Sequence, residues 1–316
     1  MHQLYPKTQH QIIMKVLTVI ISYNFTRWIQ PCLNSLIRSE VPTDILVIDN
    51  GSSDNCIKTI KEEFPKVRII ENEKNLGFGQ ANNIGISIAI KEQYDYVLLL
   101  NQDAWIDQNV IGELTDLSNK FNDFGIITSV HLVGDRSTID SGSPGCYVSK
   151  EDAESPIIET PFVNAAIWLI PTRVLKEVGG FSPLFFHYGE DVDYANRIHY
   201  HGYKIGYCPY VCGCHDRAKR TTTNAMRHRA TAVYCLTLFS NIHFPLYKAF
   251  FKSIKCCLHH SAKSLFKADW EGCFYFIKVL FKLLANTKRV DQIRRLCKVK
   301  GSHFIYTPLE AYKIIT

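Results

Sequence analysis

Uninterrupted apolar runs alternate with helically spaced apolar positions along the first half of the chain. Residues 15–22 (KVLTVIIS) form a continuous β-branched and aliphatic run, as a parallel strand buried on both faces should. Ile29, Leu33, Leu36 and Ile37 then recur at helical spacing. Further strands are predicted over 44–49 (DILVID), 67–72 (VRIIEN) and 96–100 (YVLLL). Ala81, Ile84, Gly85 and Ile88 mark a helix before the fourth strand, and Val110, Leu114, Leu117 and Phe121 mark another after it. Strands alternating with helices of this length read as βαβ units, which predicts an open, mostly parallel sheet covered on both faces. From residue 225 onward helical spacing takes over, and Phe274, Ile277, Phe281 and Leu284 share a face beside Lys278 and Lys282. That spacing suits a helix lying on a surface, and equally a helix docked on the preceding domain. The pattern divides the chain into a lead-in (1–13), an α/β domain (14–216) and a basic, mostly helical region (217–316).

Composition sharpens this division. The 316 residues are 46% hydrophobic, enough to bury a sizeable core. No secretory signal pattern opens the chain and no apolar run reaches about 18 residues, so neither export nor a membrane span is expected. Eleven cysteines, an odd number without a secretory pattern, read as reduced thiols in a cytoplasm. The net charge is +6, yet between Arg217 and Lys300 there are 18 Lys and Arg against three acids, Asp269, Glu271 and Asp291. This tail carries +15 and the remainder −9. RRLCKVK (294–300) belongs to the same positive stretch. Such a tail fits an anionic membrane surface at about 1 kcal/mol per nearby cation. No nucleic-acid recognition motif accompanies it, so nucleic acid is not the expected partner.

The polar motifs fall where ligands of open α/β sheets bind, outside the carboxyl ends of the strands. SYN (22–24), DNGSSD (49–54), NLGFGQANNIG (75–85) and NQD (101–103) each follow a predicted strand. A nucleotide-linked donor needs a base or ribose contact, which Asp49, with Asn50 and Gly51, could supply. Gly77, Gly79 and Gly85 allow close backbone approach, and Asn82 and Asn83 offer amides, although no dinucleotide fingerprint is present. Asp103 ends an apolar strand and would be costly to bury unpaired, which makes a hard cation its natural partner. Cys208, Cys212, Cys214 and His215 crowd one segment, but their spacing fits no standard zinc finger, and buried thiols are the plainer reading.

In this order, TVIISYN, ILVIDNGSSDN, NLGFGQANNIGI, YDYVLLLNQDAWID, VGGF and YGEDVDYANRIHYHGYKIGYCP resemble glycosyltransferase family 2, in its rhamnosyltransferase-like branch, from about Val16 to His215. The resemblance implies the GT-A nucleotide-diphospho-sugar transferase fold and an inverting transfer from a dTDP-, UDP- or GDP-sugar to an acceptor hydroxyl on a saccharide, which a lipid could carry. The implied setting is cell-surface polysaccharide or O-antigen synthesis, cytoplasmic and peripheral at the inner face of the cell membrane. Donor contacts fall on Ser22, Tyr23, Asn24, Asp49, Asn50, Gly51, Gly79, Asn82, Asn83 and Asn101. The family's acidic D-x-D triplet falls on Asn101, Gln102 and Asp103, which leaves Asp103 as its one carboxylate. His215 is placed to complete a site for Mn²⁺ or Mg²⁺. Ala165 stands where glycine is expected beside the acceptor.

FFHYGEDVDYANRIHYHG (185–202) packs Glu190, Asp191 and Asp193 into the first turn of a predicted helix, after aromatic residues. The helix dipole favours acids there by about 0.3–1 kcal/mol each, but does not call for aromatic neighbours. A pyranose does, and partial desolvation raises a carboxylate toward a useful general base. By resemblance Asp191 is the base, with Glu190, Asp193, Trp168 and Tyr188 supporting the acceptor site. Specificity is expected in 131–162. Two other classes compete: a sugar-phosphate nucleotidyltransferase, disfavoured because no Gly-rich, basic loop follows the first strand, and a non-catalytic sugar-nucleotide-binding protein, which Asn101 keeps open.

Overall fold

A computed structural model describes residues 14–140, 152–217, 223–306 and 314–315. The lead-in 1–13 and part of the expected specificity segment, 141–151, lie outside the described residues. The chain runs β1 (Val16–Ser22), α1 (Ile29–Ile37), β2 (Asp44–Asp49), α2 (Cys56–Glu63), β3 (Arg68–Glu71), α3 (Phe78–Lys91), β4 (Tyr96–Asn101), β5 (Ala104–Ile106) and α4 (Val110–Lys120). It continues through β6 (Phe124–Val133), β7 (Ile158–Glu159), β8 (Ile167–Pro171), α5 (Thr172–Val178), α6 (Glu190–Tyr200) and β9 (Lys204–His215). Four helices follow: α7 (Asn224–Ser240), α8 (Leu246–Phe266), α9 (Trp270–Ala285) and α10 (Thr287–Cys297).

One sheet in the order β3-β2-β1-β4-β8-β6-β9-β5, with β7 on β9, organises the molecule. β3, β2, β1 and β4 are parallel, β8 is antiparallel to both β4 and β6, and β9 runs parallel to β6. The expected mostly parallel architecture is therefore present, with β8 reversed at its centre and β5 and β7 reversed beside β9. Strand side chains alternate between two apolar layers. Val16, Ile20, Val47, Leu98 and Leu100 pack with α1, α2 and α4, while Leu17, Val19, Leu46, Ile48, Val97 and Leu99 pack with α3, α5 and α6. Helix α3 lies close on the sheet because Gly85 has no side chain: a Cβ there would sit 2.5 Å from Val19 Cγ1.

The C-terminal helices build a third core that is not separate from the α/β domain. Leu184 and Phe185, just before the acidic turn, pack with Val233, Leu236 and Phe239 of α7, Val279 and Leu283 of α9, and Ile293 of α10. Arg294, counted above with the positive surface, is instead buried at 2% exposure. Its guanidinium donates to the carbonyls of Phe239 and Phe244, each at 2.7 Å, and of Asn241. A cation is needed there because α7 ends inside the protein, where carbonyls cannot turn to water. Arg294→Ala is expected to destabilise the fold by about 1.5–3 kcal/mol, read by urea unfolding, whereas exposed Arg295→Ala should change stability by less than about 0.5 kcal/mol.

Candidate active site

The register of β1 between two parallel neighbours sets the site. Ser22 pairs with Asp49 and Ile21 with Asn101, so three polar strand ends finish at one level. Asp49 is buried, and Ser22 Oγ (2.9 Å), Gly51 N (3.1 Å), Ser52 N (2.9 Å) and Ser52 Oγ donate to its carboxylate. Gly51 takes φ +78° to bring its N–H round, a conformation costly for other residues. Asn24 binds the same loop, accepting from Ser53 N at 2.9 Å. Tyr23 is pinned from the other side: its N–H donates to Gln102 Oε1 (2.7 Å) and its carbonyl accepts from Gln102 Nε2 (3.1 Å). Gln102 had no role in the sequence reading, and here it ties the first strand end to the fourth.

These ends open into a cleft of about 400 Å³ bordered by Tyr23, Asn50, Asn101 and Asp103 on the sheet side, by Gly77 and Phe78 at the start of α3, and by Phe186 and His187. Larger grooves of about 740 and 760 Å³ lie elsewhere, one along α1 and β5 and one at the opposite ends of the strands. Neither contains the converging acid, amide and imidazole groups found here. Arg229 of α7 also lines the cleft, and its Nε has no hydrogen-bond partner among the described residues. The sequence reading missed this residue because nothing local separates it from its basic neighbours.

At the cleft's inner end, His215 Nε2 lies 3.4 Å from Asp103 and its Nδ1 3.1 Å from Asp140. Burial opposes charge on this imidazole, but hydrogen bonds to the two carboxylates outweigh it and raise its pKa. Asn101 Nδ2 faces the same ring nitrogen at 3.4 Å, while its buried Oδ1 has no partner among the described residues. Among the described residues no three His, Cys, Asp or Glu side chains gather as a metal cage. Asp103 and His215 still fit a divalent cation that completes its shell from substrate oxygens and water, with Asp140 orienting the imidazole from behind.

The acidic turn enters beside this cleft. Gly77 at φ +83° lies against the Phe186 carbonyl, where a Cβ would come within 2.0 Å, and Gly189 at φ +85° lies under α7, where a Cβ would be 2.5 Å from Val233 Cγ1. The loop is thus clamped between α3 and α7, and α6 begins with its acids at a fixed place. Asp191 is half-buried and Oδ1 accepts from Val192 N at 2.8 Å. Burial raises its pKa, against a lowering by the N–H groups of Val192 and Ala165 and the charge of Arg217. The Ala165 position is thereby placed at the acidic turn. Glu190 is more deeply buried, one of its oxygens has no partner among the described residues, and burial together with the Asp191 charge pushes its pKa up to about 8.

Several residues picked out from sequence lie away from the cleft. Trp168 is fully buried in β8, stacked on Phe181 (6.5 Å between ring centres, 13° between planes), so it supports the core and cannot meet an acceptor directly. Asn83 is committed at both polar atoms, Nδ2 to Phe181 O (2.9 Å) and Oδ1 to Phe181 N (2.7 Å). Asn82 donates to Phe78 O within its own helix, and Gly79 makes room for Phe181, whose Cβ would lie 2.8 Å from an added methyl. Asp193 points into a buried pair with Arg197 at 3.0 Å. Tyr188 is 42% exposed and its ring lies 4.0 Å from that of His187.

Residues 18–177 match the family described as glycosyl transferase family 2, which is half of the chain, and the protein belongs to that family. The fold agrees with that membership. Residues 1–349 of S. aureus TarS superpose with a TM-score of 0.53 at 14% identity over 90% of each chain. The poly-β-1,6-N-acetyl-D-glucosamine synthase of Staphylococcus epidermidis is 28% identical over 214 residues, 64% of this chain and 50% of that one. The N-acetylglucosaminyl-diphospho-decaprenol L-rhamnosyltransferase of Mycobacterium tuberculosis is 24% identical over 245 residues, 67% of this chain and 79% of that one. The O-antigen chain rhamnosyltransferase WbaN of Salmonella anatum is 24% identical over 201 residues, 61% and 62% of the two chains. The chain thus spans only half the length of the synthase.

Glu190 gives a stability test of the buried acids. Its proton is held more tightly folded than unfolded, so its stabilisation is fully present below the ordinary value of 4.5 and is lost as pH rises through about 8. Glu190→Gln keeps the neutral shape and should gain on the order of 1–3 kcal/mol over the native protein at pH 9, with little difference at pH 5. Denaturant midpoints at the two pH values check this.

Proposed function

We propose that the protein is an inverting glycosyltransferase moving a sugar from a dTDP-, UDP- or GDP-sugar to a hydroxyl of an acceptor saccharide in cell-surface polysaccharide or O-antigen synthesis. The observation that carries this reading is Asp191, half-buried with a raised pKa at the start of α6, beside a cleft whose inner end holds Asp103 and His215. Solved TarS structures include complexes with UDP and with UDP-GlcNAc, which supports the same class of donor. The nucleoside lies against the strand-end loops, where Asp49, braced by its internal donors, and the Ser22–Asn24 segment offer polar edges and Asn50 and Asn101 border the sugar diphosphate. Arg229 is the cationic side chain best placed for that diphosphate.

Asp103 and His215 would hold Mn²⁺ or Mg²⁺, which neutralises charge on the departing diphosphate. Asp191 Oδ takes the proton of the acceptor hydroxyl as its oxygen attacks the anomeric carbon from the face opposite the leaving group. The anomeric C–O bond breaks, its electron pair leaves with the nucleoside diphosphate, and configuration inverts. Burial raises the pKa of Asp191 toward the range a general base needs. Tyr188, exposed outside the cleft next to His187 of its wall, would offer an apolar face to the acceptor sugar. The reading places the enzyme on the cytoplasmic side of the cell membrane, peripheral to it, where a lipid-linked acceptor would be met.

Thermal stabilisation across UDP-, dTDP- and GDP-sugars, each with and without Mn²⁺ or Mg²⁺, should pick out one nucleotide class in a cation-dependent way, and Asp103→Ala should lose the cation dependence. Asp191→Asn should retain that shift yet lower transfer by about 10²–10⁴-fold. In the native enzyme the rate should rise with pH as Asp191 loses its proton, on a limb displaced upward from an ordinary aspartate. Arg229→Ala should weaken donor binding more than it alters the pH profile. No stabilisation by any member of the panel would remove the donor-site assignment.

A further inference from the structure

Helices α8 and α9 are joined by a short turn and form an antiparallel hairpin whose inner side is used up by the third core through Cys257, Val279 and Leu283. Their outer side is not polar. Along α8, Tyr247, Phe251, Leu258 and Leu265 recur on one stripe, exposed by 67%, 64%, 52% and 46%. Along α9, Trp270, Phe274, Phe281 and Leu284 make a second stripe, exposed by 61%, 60%, 65% and 40%. Phe266, at the turn between them, is 90% exposed. Scattered exposed apolar residues are ordinary in a soluble protein, but two aligned stripes meeting at a bare phenylalanine mark an interaction surface.

Charge decides among occupants. Lys248, Lys252, Lys255 and Lys263 border the α8 stripe and Lys278 and Lys282 the α9 stripe, and the hairpin's acids, Asp269 and Glu271, are confined to its turn. A protein partner would meet apolar surface edged by an excess of cations. An anionic bilayer offers hydrocarbon to the stripes and phosphates to the lysines at once. Among the described residues no helix is long and apolar enough to cross a membrane, so the hairpin lies in the interface plane.

Resting on the peripheral location read above, we propose that the α8–α9 hairpin inserts its aromatic stripes into the boundary between headgroups and acyl chains of an anionic membrane, lying flat so that Asp269 and Glu271 at its turn stay at headgroup level. Attachment is thus by insertion, and the lysines strengthen it without being sufficient for it. Arg294 of α10 takes no part, since it is spent on backbone carbonyls.

The test is flotation of the full chain with vesicles of phosphatidylcholine containing phosphatidylglycerol, read together with tryptophan emission. Insertion predicts binding that weakens but persists at about 0.5 M salt, and a blue shift on binding that is absent in Trp270→Phe. Replacing Phe251, Phe266 and Phe281 together by Ser should lower partitioning by about tenfold or more, while nucleotide-sugar stabilisation in solution stays at the native level. Binding that vanishes at high salt without a blue shift would overturn insertion in favour of surface adsorption. Concentration-dependent self-association with no vesicle binding would overturn it in favour of a second copy on the stripes. Donor stabilisation is measured without lipid, so failure of the transferase reading would appear there and leave the flotation result standing.

Discussion

One buried cation holds the acidic turn in place. Arg197 is nearly inaccessible, and its guanidinium donates to Asp193 at 3.0 Å, to Val178 O at 2.9 Å and to Gly180 O at 2.7 Å. A paired charge of this kind is weak as a source of stability but strict about geometry, because removing either partner strands the other in the core. Asp193 is two residues from Asp191, so the pair fixes the start of α6 against the end of α5. Gly180 leads directly to Phe181, which Asn83 grips by both backbone groups and on which Trp168 stacks. Helix α6, the reversed strand β8 and α3 are thereby locked to one another through side chains that never meet the cleft.

That lock also explains what the sequence could and could not say. Strands β1, β2 and β4 were legible because burial on both faces demands continuous apolar runs, and their polar ends were legible because the fold leaves only those ends open. Asn82, Asn83, Gly79, Trp168 and Asp193 carried the right chemistry for a ligand and sat in the right motifs. Burial, however, is a property of the tertiary partner. Phe181 claims Gly79, Asn83 and Trp168, Arg197 claims Asp193, and neither claim leaves a local trace; Asn82 is taken within its own helix by the Phe78 carbonyl. Arg229 shows the converse difficulty: a cleft cation within a stretch of 18 bases cannot be told from a solvated one until α7 is seen to cross the site.

The same stretch of bases divides into three physical fates. Arg229 borders the cleft, Arg294 satisfies carbonyls at the end of α7, and the lysines of α8 and α9 flank the apolar stripes. Net charge therefore described the region correctly while hiding that its members do different work.

Helix α7 has a consequence for anyone who would recombine this chain with its relatives. It roofs the turn at Gly189, supplies Arg229 and shares a core with Leu184 and Phe185, although the family match ends at residue 177, before Asp191 is reached. A chimaera joined at that boundary, or just after His215, would leave behind the Arg229 wall of the cleft and the roof over Gly189. The smallest portable module extends through α10, where Arg294 closes the end of α7.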